Sequence, residues 1–362
     1  MSTDPDTYGS MFSEDFVRAA TRRRLRRGRR FALFVGLGTG LVLVGLLSIP
    51  LFLLGALLPG PALPPAFGAE LARLLAGSLR AAVCAMLVAL PLGFATAAFS
   101  AHFCAPRLRA WLKPALEMLE AVPTVVLGLV AAATFAPWLK LHVATLLAAI
   151  AVVPAVLLAA GFALGARVRD AGRLPLALLP LVAATLAIVL AIGAQRDAAA
   201  VVPASPWNAA LVGVALGFAA LPLVFSLAED ALLLVPGAHA QAAFALGATR
   251  WQALTSIVLP AAGSGIVAAA LLGFSRCFGE TMIVLMASGN TPIGGFDPLA
   301  GLRSLSAELA LGMSEAAPAS GAYRALLLAA LVLLLATVVP NLLADRVRER
   351  LRRRLAADAR AA

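Results

Sequence analysis

The chain has 362 residues, of which 62% are hydrophobic and only 13% are charged, and its mean hydropathy is +0.95. Soluble globular domains are roughly half apolar and about a quarter charged. The composition therefore excludes an ordinary soluble domain and predicts an all-α, polytopic membrane protein. The formal net charge of +11 also suggests a nucleic-acid binder, so the placement of the positive residues has to be considered.

Eight segments are long and apolar enough to cross a bilayer as helices. A hydrocarbon core about 30 Å thick requires roughly 20 apolar residues per helix. We predict these spans at 31–58, 79–100, 121–138, 141–165, 174–194, 208–228, 263–288 and 323–343.

The positive residues are concentrated at the two ends of the chain. Eight arginines lie between Arg18 and Arg30, and seven follow the last span between Arg346 and Arg360. With the N-terminus in the cytoplasm, eight alternating spans place 22 of the 29 lysines and arginines inside, as the positive-inside rule requires. We therefore expect both termini to be cytoplasmic and to contact anionic lipid rather than nucleic acid.

These spans divide the chain into four parts. We predict a cytoplasmic basic tail, a first transmembrane helix, a main transmembrane domain and a second basic tail, at 1–30, 31–58, 75–343 and 344–362.

The main domain contains two additional features. Residues 139–200 resemble an added hairpin that packs against lipid. The longest external loop, 288–321, has apolar residues at helical spacing, which predicts an amphipathic helix along the outer surface, a packing element or a docking surface. These apolar residues are Leu302, Leu305, Leu309 and Met313.

Several kinds of chemistry have no signal in the sequence. The three cysteines and three histidines lack metal-ligand spacing. No G-x-x-x-x-G-K-[ST] phosphate-binding loop occurs, so we expect no cofactor on this chain, and any ATP and magnesium to be bound by another subunit. We also find no nucleophile and base arrangement or paired catalytic carboxylates in the spans, so we do not expect an enzyme.

A polar segment, QAAFALGATRWQALTSIVLP, lies between the sixth and seventh spans, inside a predicted cytoplasmic loop at 229–262. It resembles the EAA loop of ABC importer permeases, in which E-A-A is followed by three residues, a glycine, nine residues and I-x-L-P. The chain has glutamine where that family usually has glutamate. We assign ATPase coupling to Gln241, Ala242, Ala243, Gly247, Trp251, Ile257, Leu259 and Pro260.

Such a segment is expected to form a helix, a turn and a helix. Small residues allow close packing, and Gly247 permits a sharp reversal of the chain. Trp251 would fill an apolar pocket on a partner. An ordinary cytoplasmic loop with an accidental alanine run is the alternative. Glu229 and Asp230, at the start of the loop, are expected to cap or solvate it.

The seventh span carries Arg276 and Glu280 within an otherwise apolar helix. Residues at i and i+4 share one helix face, where a direct ion pair can form. Ionisable residues inside the membrane usually face a water-filled path. We therefore predict a substrate pathway at Arg276, Glu280 and Thr281, with the guanidinium as donor to a passing oxyanion. A purely architectural ion pair is the alternative.

Other residues near the spans have simpler interpretations. Pro123 and Gly128 are predicted to bend the third span or form a gate. Glu117 and Glu120 are expected to be solvated at the interface, near a helix N-terminus. Arg80 is expected either to extend to the lipid headgroups or to attract anions at the external mouth.

The seventh span also carries a more specific resemblance. Its sequence RCFGET, followed by an apolar run and GN, is similar to the RALGET segment of phosphate-specific ABC importer permeases. The segment AVPTVVLGL at 121–129 is similar to IPSVVYGL of the same family, and the resemblance covers roughly 75–138 and 207–350. The run GETMIV favours the PstC-type subunit over its PstA-type partner.

The resemblance implies a type I, MetI-like permease core that moves inorganic phosphate by alternating access across a bacterial inner membrane. It also implies a second homologous permease subunit, two ABC ATPase subunits and a periplasmic or extracellular phosphate-binding protein. Two alternatives stay open: a permease for sulfate, molybdate or phosphonate, and a non-transporting membrane scaffold in phosphate signalling.

Overall fold

The computed structural model describes residues 14–140, 205–291, 295 and 297–361, and within these ranges it describes side chains from 31 to 349. The described chain is helical apart from its connections and one isolated bridge between Gly289 and Leu302. Two predicted spans, 141–165 and 174–194, lie outside the described residues, as does nearly all of the predicted hairpin at 139–200.

The chain divides into two compact units, Met1–Gly60 and Pro61–Ala362. In the described part of the first unit, from residue 14 onward, the chain forms one helix, α1, which spans Glu14–Gly55. Arginine, alanine and leucine all favour helix, so the helix includes residues 14–30 of the predicted basic tail as well as the first predicted span.

The second unit contains the remaining helices. Among those that the structure describes, two include a short π-helical turn, one at Ala131–Phe135 and the other at Leu254–Val258. In chain order the helices are α2 Phe67–His102, α3 Pro106–Glu120, α4 Thr124–Lys140, α5 Ala209–Leu233, α6 Gly237–Ala245, α7 Arg250–Gly279, α8 Met282–Ala287, α9 Leu305–Glu315 and α10 Gly321–Ala361.

Within the described residues, five helices are long and apolar enough to cross a membrane, and α3 with α4 forms a sixth candidate that bends by 86°. These six candidates correspond to six of the eight predicted spans. The count of eight stays a prediction, because the other two spans lie outside the described ranges. The five unbroken candidates are Phe31–Gly55, Phe67–His102, Ala209–Leu233, Arg250–Gly279 and Gly321–Glu349.

Close packing of α2 against α5 forms the centre of the second unit. A Cβ atom added at Gly213 would lie 2.6 Å from Cβ of Cys84, and one added at Gly217 would lie 2.8 Å from Cβ of Val88. Small residues at helix contacts let two backbones approach, which is how helices associate in lipid. This contact gives the rigid frame on which the other helices are placed.

The seventh predicted span, 263–288, is not one helix. Helix α7 ends at Gly279, Glu280 adopts an extended conformation, and α8 begins at Met282. The hydroxyl of Ser306 donates a hydrogen bond to the Glu280 carbonyl at 2.8 Å. A helix can break at membrane depth only where other groups satisfy its freed backbone, and Ser306 provides such a group.

The predicted external helix is present as α9, but it does not lie along the surface. Leu302 and Leu305 are completely buried, and Ser306 contacts the break between α7 and α8. The structure therefore agrees with the packing alternative for this segment. Only its second half, including Met313, is exposed.

Candidate functional site

Two interrupted helices meet in the second unit. The first interruption separates α3 from α4, and Pro123 directly precedes α4 at the 86° bend. The second interruption separates α7 from α8. Gly128 lies within α4, where an added Cβ would be 3.2 Å from Cα of Ile283 and 3.2 Å from the Met282 carbonyl oxygen. Pro123 thus marks a bend, whereas Gly128 lies inside α4, where α4 crosses α8.

Arg276 lies beside both interruptions and pairs with Glu120, the last residue of α3. Its Nη1 is 3.2 Å from Oε1 of Glu120, and the two side chains are 36% and 44% exposed. The ion pair with Glu280 expected from the i, i+4 spacing is replaced by this contact. Since α7 ends at Gly279, Glu280 no longer shares a helix face with Arg276.

Glu280 instead stabilises the start of α8. Its Oε1 accepts a hydrogen bond from the Met282 backbone N–H at 3.3 Å, a favourable place for a carboxylate because helix N-termini carry partial positive charge. Thr281 precedes α8, and its hydroxyl lies 3.5 Å from the Gly279 carbonyl oxygen. The Thr281 hydroxyl and the backbone N–H of Met282 therefore both lie at the helix break, about one turn after Arg276 in the chain.

This arrangement is suited to reversible binding of an anion. A guanidinium carries five N–H donors in a planar fork, and the contact with Glu120 uses Nη1. The other N–H groups of the same guanidinium can donate hydrogen bonds to an oxyanion. Both side chains are partly exposed, so the pair is not sealed inside the packed core.

The predicted coupling segment forms a helix, a turn and a helix. Helix α6 contains Gln241, and the reversal occurs at Gly247, whose φ of +84° lies in the left-handed region that favours glycine. Thr249 and Gln252 then form a reciprocal capping box at the start of α7. The turn therefore has two separate local determinants.

The coupling segment exposes large apolar side chains. Of its alanines, Ala243 is buried at 3% exposure, which attaches α6 to the rest of the unit. Gln241 and Ala242 are exposed, as is Pro260, and Ile257 and Leu259 are half-buried. Three large apolar side chains point outward, namely Phe244 at 46%, Trp251 at 64% and Leu246 at 89% exposure.

Glu229 has a role that the sequence did not indicate. We expected it to be solvated or to cap the loop, but its side chain is completely buried near the end of α5. Its Oε1 accepts hydrogen bonds from Ser100 Oγ at 2.6 Å and Arg109 Nε at 3.0 Å. Lys113 Nζ lies 3.3 Å from the other carboxylate oxygen. Two features of the sequence could have indicated this pairing. Glu229 lies in an apolar span, and Arg109 and Lys113 are spaced at i, i+4 on one helix face.

Arg80 is also a buried structural residue. It is 3% exposed and donates hydrogen bonds to the carbonyls of Gly295, Asp297 and Gly301 at 3.1, 3.1 and 2.6 Å. The structure supports neither of the two roles expected for it, because the guanidinium reaches neither lipid headgroups nor an open mouth. Arg80 holds the backbone of the segment before α9.

Cysteine and carboxylate positions do not suggest metal binding. In the part of the chain that the structure describes, no group of three or more His, Cys, Asp or Glu residues could hold a metal ion. Cys277 is buried, and Cys84 and Cys104 are half-buried free thiols.

Together, the apolar helices, their interruptions and the charged pair at the break define an integral membrane protein with a candidate solute pathway. The family model described as "Binding-protein-dependent transport system inner membrane component" matches residues 89–357. The chain belongs to this family, whose members are membrane components of transport systems.

Curated relatives include several phosphate permeases. The phosphate transport system permease protein PstC 1 of Mycobacterium bovis is 26% identical over 216 residues, which cover 60% of this chain and 52% of the relative. PstC of Pasteurella multocida is 26% identical over 267 residues, covering 73% and 69%. The probable ABC transporter permease protein YqgH of Bacillus subtilis is 33% identical over 102 residues, covering 28% and 33%. The chain thus spans about half the length of the first of these relatives.

Proposed function

We propose that the chain is the permease subunit of an ATP-driven ABC importer that moves inorganic phosphate into the cytoplasm by alternating access. The observation that carries this proposal is the position of Arg276 at the meeting point of two broken helices. Its side chain is 36% exposed, and its guanidinium forms an ion pair with Glu120. A guanidinium matches the geometry of phosphate oxygens, and a competing carboxylate keeps the anion from being trapped.

The coupling segment supports the ATP-driven part of the proposal. Phe244, Leu246 and Trp251 are exposed on one helix, turn and helix, and the chain itself has no phosphate-binding loop of the Walker type. Exposed apolar side chains of this kind fit a partner surface. We therefore infer two ABC ATPase subunits that bind ATP and magnesium, a second homologous permease subunit and an external phosphate-binding protein as partners.

The proposed setting is a bacterial inner membrane with both chain termini in the cytoplasm. The concentration of arginines at the two ends supports this orientation. In this setting, ATP-driven movement of the coupling segment would open the pathway toward the loaded binding protein, and phosphate would then pass Arg276.

The test is uptake of labelled phosphate in cells without other phosphate transporters, with the partner subunits co-expressed. Arg276→Gln should abolish uptake at normal membrane abundance, whereas Arg276→Lys should keep part of it, because charge is retained without the planar fork. Excess sulfate should not compete.

Three outcomes would contradict the proposal in different ways. Competition by sulfate, molybdate or phosphonate would indicate another oxyanion as substrate. Unchanged uptake with Arg276→Gln would make the ion pair purely architectural. Absence of uptake by the native chain, together with a loss of phosphate signalling on removal of residues 1–28, would favour the scaffold alternative.

A further inference from the structure

We propose that Glu229 is a positioning residue that fixes α3 against the end of α5 and thereby holds Glu120 within reach of Arg276. This inference rests on the proposed function, because it concerns how the Arg276 site is assembled. Its starting point is a contrast in burial. The Glu229 side chain is completely buried, whereas none of the fifteen residues of α3 is buried.

A buried carboxylate requires nearby positive charge and hydrogen-bond donors, because loss of water strongly disfavours its charged form. Ser100 on α2 provides one donor, at 2.6 Å from Oε1 of Glu229. Within the described residues, the cations that pair with Glu229 both lie on α3, Arg109 at 3.0 Å and Lys113 at 3.3 Å. If α3 moved away, Glu229 would lose both of these cations and keep only the Ser100 hydroxyl as a partner, which favours α3 in its present place.

Apolar packing gives α3 little independent attachment. Leu116 is the α3 side chain that packs, partly buried, against the neighbouring apolar core of α2, α5 and α7. The two cations that contact Glu229 are about a third exposed, at 31% and 35%. Because few apolar contacts hold this helix, its polar contacts decide where it lies.

The far end of the same helix carries the partner of Arg276. Arg109 and Glu120 are separated by eleven residues, which in a helix is about 16 Å. Lys113 and Glu120 lie on the same helix, with Pro114 between them, so release of the Glu229 contacts would shift Glu120 through the backbone of α3. Glu229 therefore controls a contact in which it takes no direct part.

The position of Glu229 in the chain also relates it to the coupling segment. Glu229 lies one turn before the end of α5 at Leu233, and α6 begins four residues later at Gly237. The same end of α5 thus holds α3 and leads into the coupling segment. Movement of that segment can reach the Arg276 site through this anchored helix.

The experiment is thiol cross-linking in membranes that contain the complete transporter. A cysteine-free chain receives Glu120→Cys and Arg276→Cys, and a short bifunctional thiol reagent measures how close α3 stays to α7. A second pair, Ser275→Cys and Thr337→Cys, reports the contact of α7 with α10, where Ser275 Oγ lies 2.8 Å from the Thr337 carbonyl oxygen.

Glu229→Gln should lower cross-linking of the first pair roughly tenfold, the range expected for residues of one ion network, and leave the second pair unchanged. Asp230→Asn is the matched control, since Asp230 is 53% exposed and lies 3.5 Å from Lys113. With Asp230→Asn, the cross-linking yield of the first pair should stay within about twofold of the yield without this substitution.

Two results would overturn the positioning role. An unchanged yield of the 120–276 pair with Glu229→Gln would show that Glu229 does not place α3. A loss in both pairs would show that it supports the whole helix bundle. Neither result depends on the transported solute, so the cross-linking decides this inference even if phosphate uptake fails.

Discussion

Arg276 on α7 donates a hydrogen bond from Nη1 to Oε1 of Glu120 on α3 at 3.2 Å, across a sequence separation of 156 residues. This pair joins the two helix interruptions and leaves both charges partly open to solvent. Exposed pairs are weak, typically about 0.2–1 kcal/mol. A weak pair is suitable for a site that must release its carboxylate when an anion arrives and restore it when the anion leaves.

The first prediction concerns this exchange. Glu120→Gln should lower the phosphate concentration for half-maximal uptake and also lower the maximal rate, each by up to roughly fivefold, because an exposed pair contributes at most about 1 kcal/mol. The reason is that the anion no longer competes with a carboxylate for Arg276 and is held longer. Initial uptake rates over a range of phosphate concentrations measure both changes.

Glu117→Gln is the control for Glu120→Gln. Glu117 lies one turn earlier on α3 and is exposed, and within the described residues it forms no ion pair. If both substitutions changed uptake equally, general loss of negative charge on α3 would explain the result, and the specific exchange at Arg276 would be refuted.

The second prediction concerns Arg80. Arg80→Met removes a buried guanidinium that serves three carbonyls of the segment before α9, and each unsatisfied buried group costs about 1–3 kcal/mol. We expect a loss of roughly 3 kcal/mol or more and faster proteolysis near Gly301. Thermal unfolding of the detergent-solubilised protein and limited proteolysis measure the two effects.

Arg73→Met provides the comparison on the same helix. The Arg73 side chain is exposed, and its Nε donates to Ala69 of its own helix at 3.3 Å. This substitution should change the unfolding temperature little. Equal destabilisation by both variants would mean that the hydrogen bonds of Arg80 to the segment before α9 do not contribute to stability.

Local signals in the sequence predicted much of the fold. Hydropathy located the apolar helices because each span depends on its own composition. The reversal at Gly247 was predicted because a sharp turn with positive φ requires glycine, and φ there is +84°. The exposed Trp251 followed from its place in a polar segment between two spans.

The partners of the charged residues could not be predicted in the same way. The spacing of Arg276 and Glu280 indicated an ion pair only if the helix continued. It ends at Gly279, and the freed Glu280 carbonyl accepts a hydrogen bond from Ser306, 26 residues later. Glu229 is paired by a helix 120 residues away in sequence from it. Contacts of this kind depend on how helices pack. The i, i+4 spacing of two cations indicates that they share a helix face, but it does not identify the carboxylate that they meet.

The third prediction tests close helix packing. A Cβ atom at Gly77 would collide with the backbone carbonyl of Arg303, whereas a Cβ at Gly263 would meet nothing within 4 Å. Gly77→Ala should destabilise the protein by about 1–3 kcal/mol, the usual effect of overpacking. Gly263→Ala should be neutral or stabilising by up to about 1 kcal/mol, because alanine favours helix. Thermal unfolding in detergent compares the two variants, and the reverse order would contradict the close approach of α2 to the segment before α9.

The last prediction concerns the coupling segment. Leu246 is 89% exposed, so Leu246→Ser should leave folding unchanged within about 0.5 kcal/mol. If the exposed apolar surface binds the ATPase, the same change should reduce co-purification of the ATPase and phosphate uptake by roughly tenfold, as expected for a contact at the centre of an interface.

Met313→Ser is the matched control for Leu246→Ser, because Met313 is also apolar and exposed, at 43%, but lies on α9. Its substitution should leave ATPase binding intact. If Leu246→Ser kept full ATPase binding and uptake, the apolar tip of the turn would have no part in coupling. The contact would then have to be made by Phe244 and Trp251, which are 46% and 64% exposed.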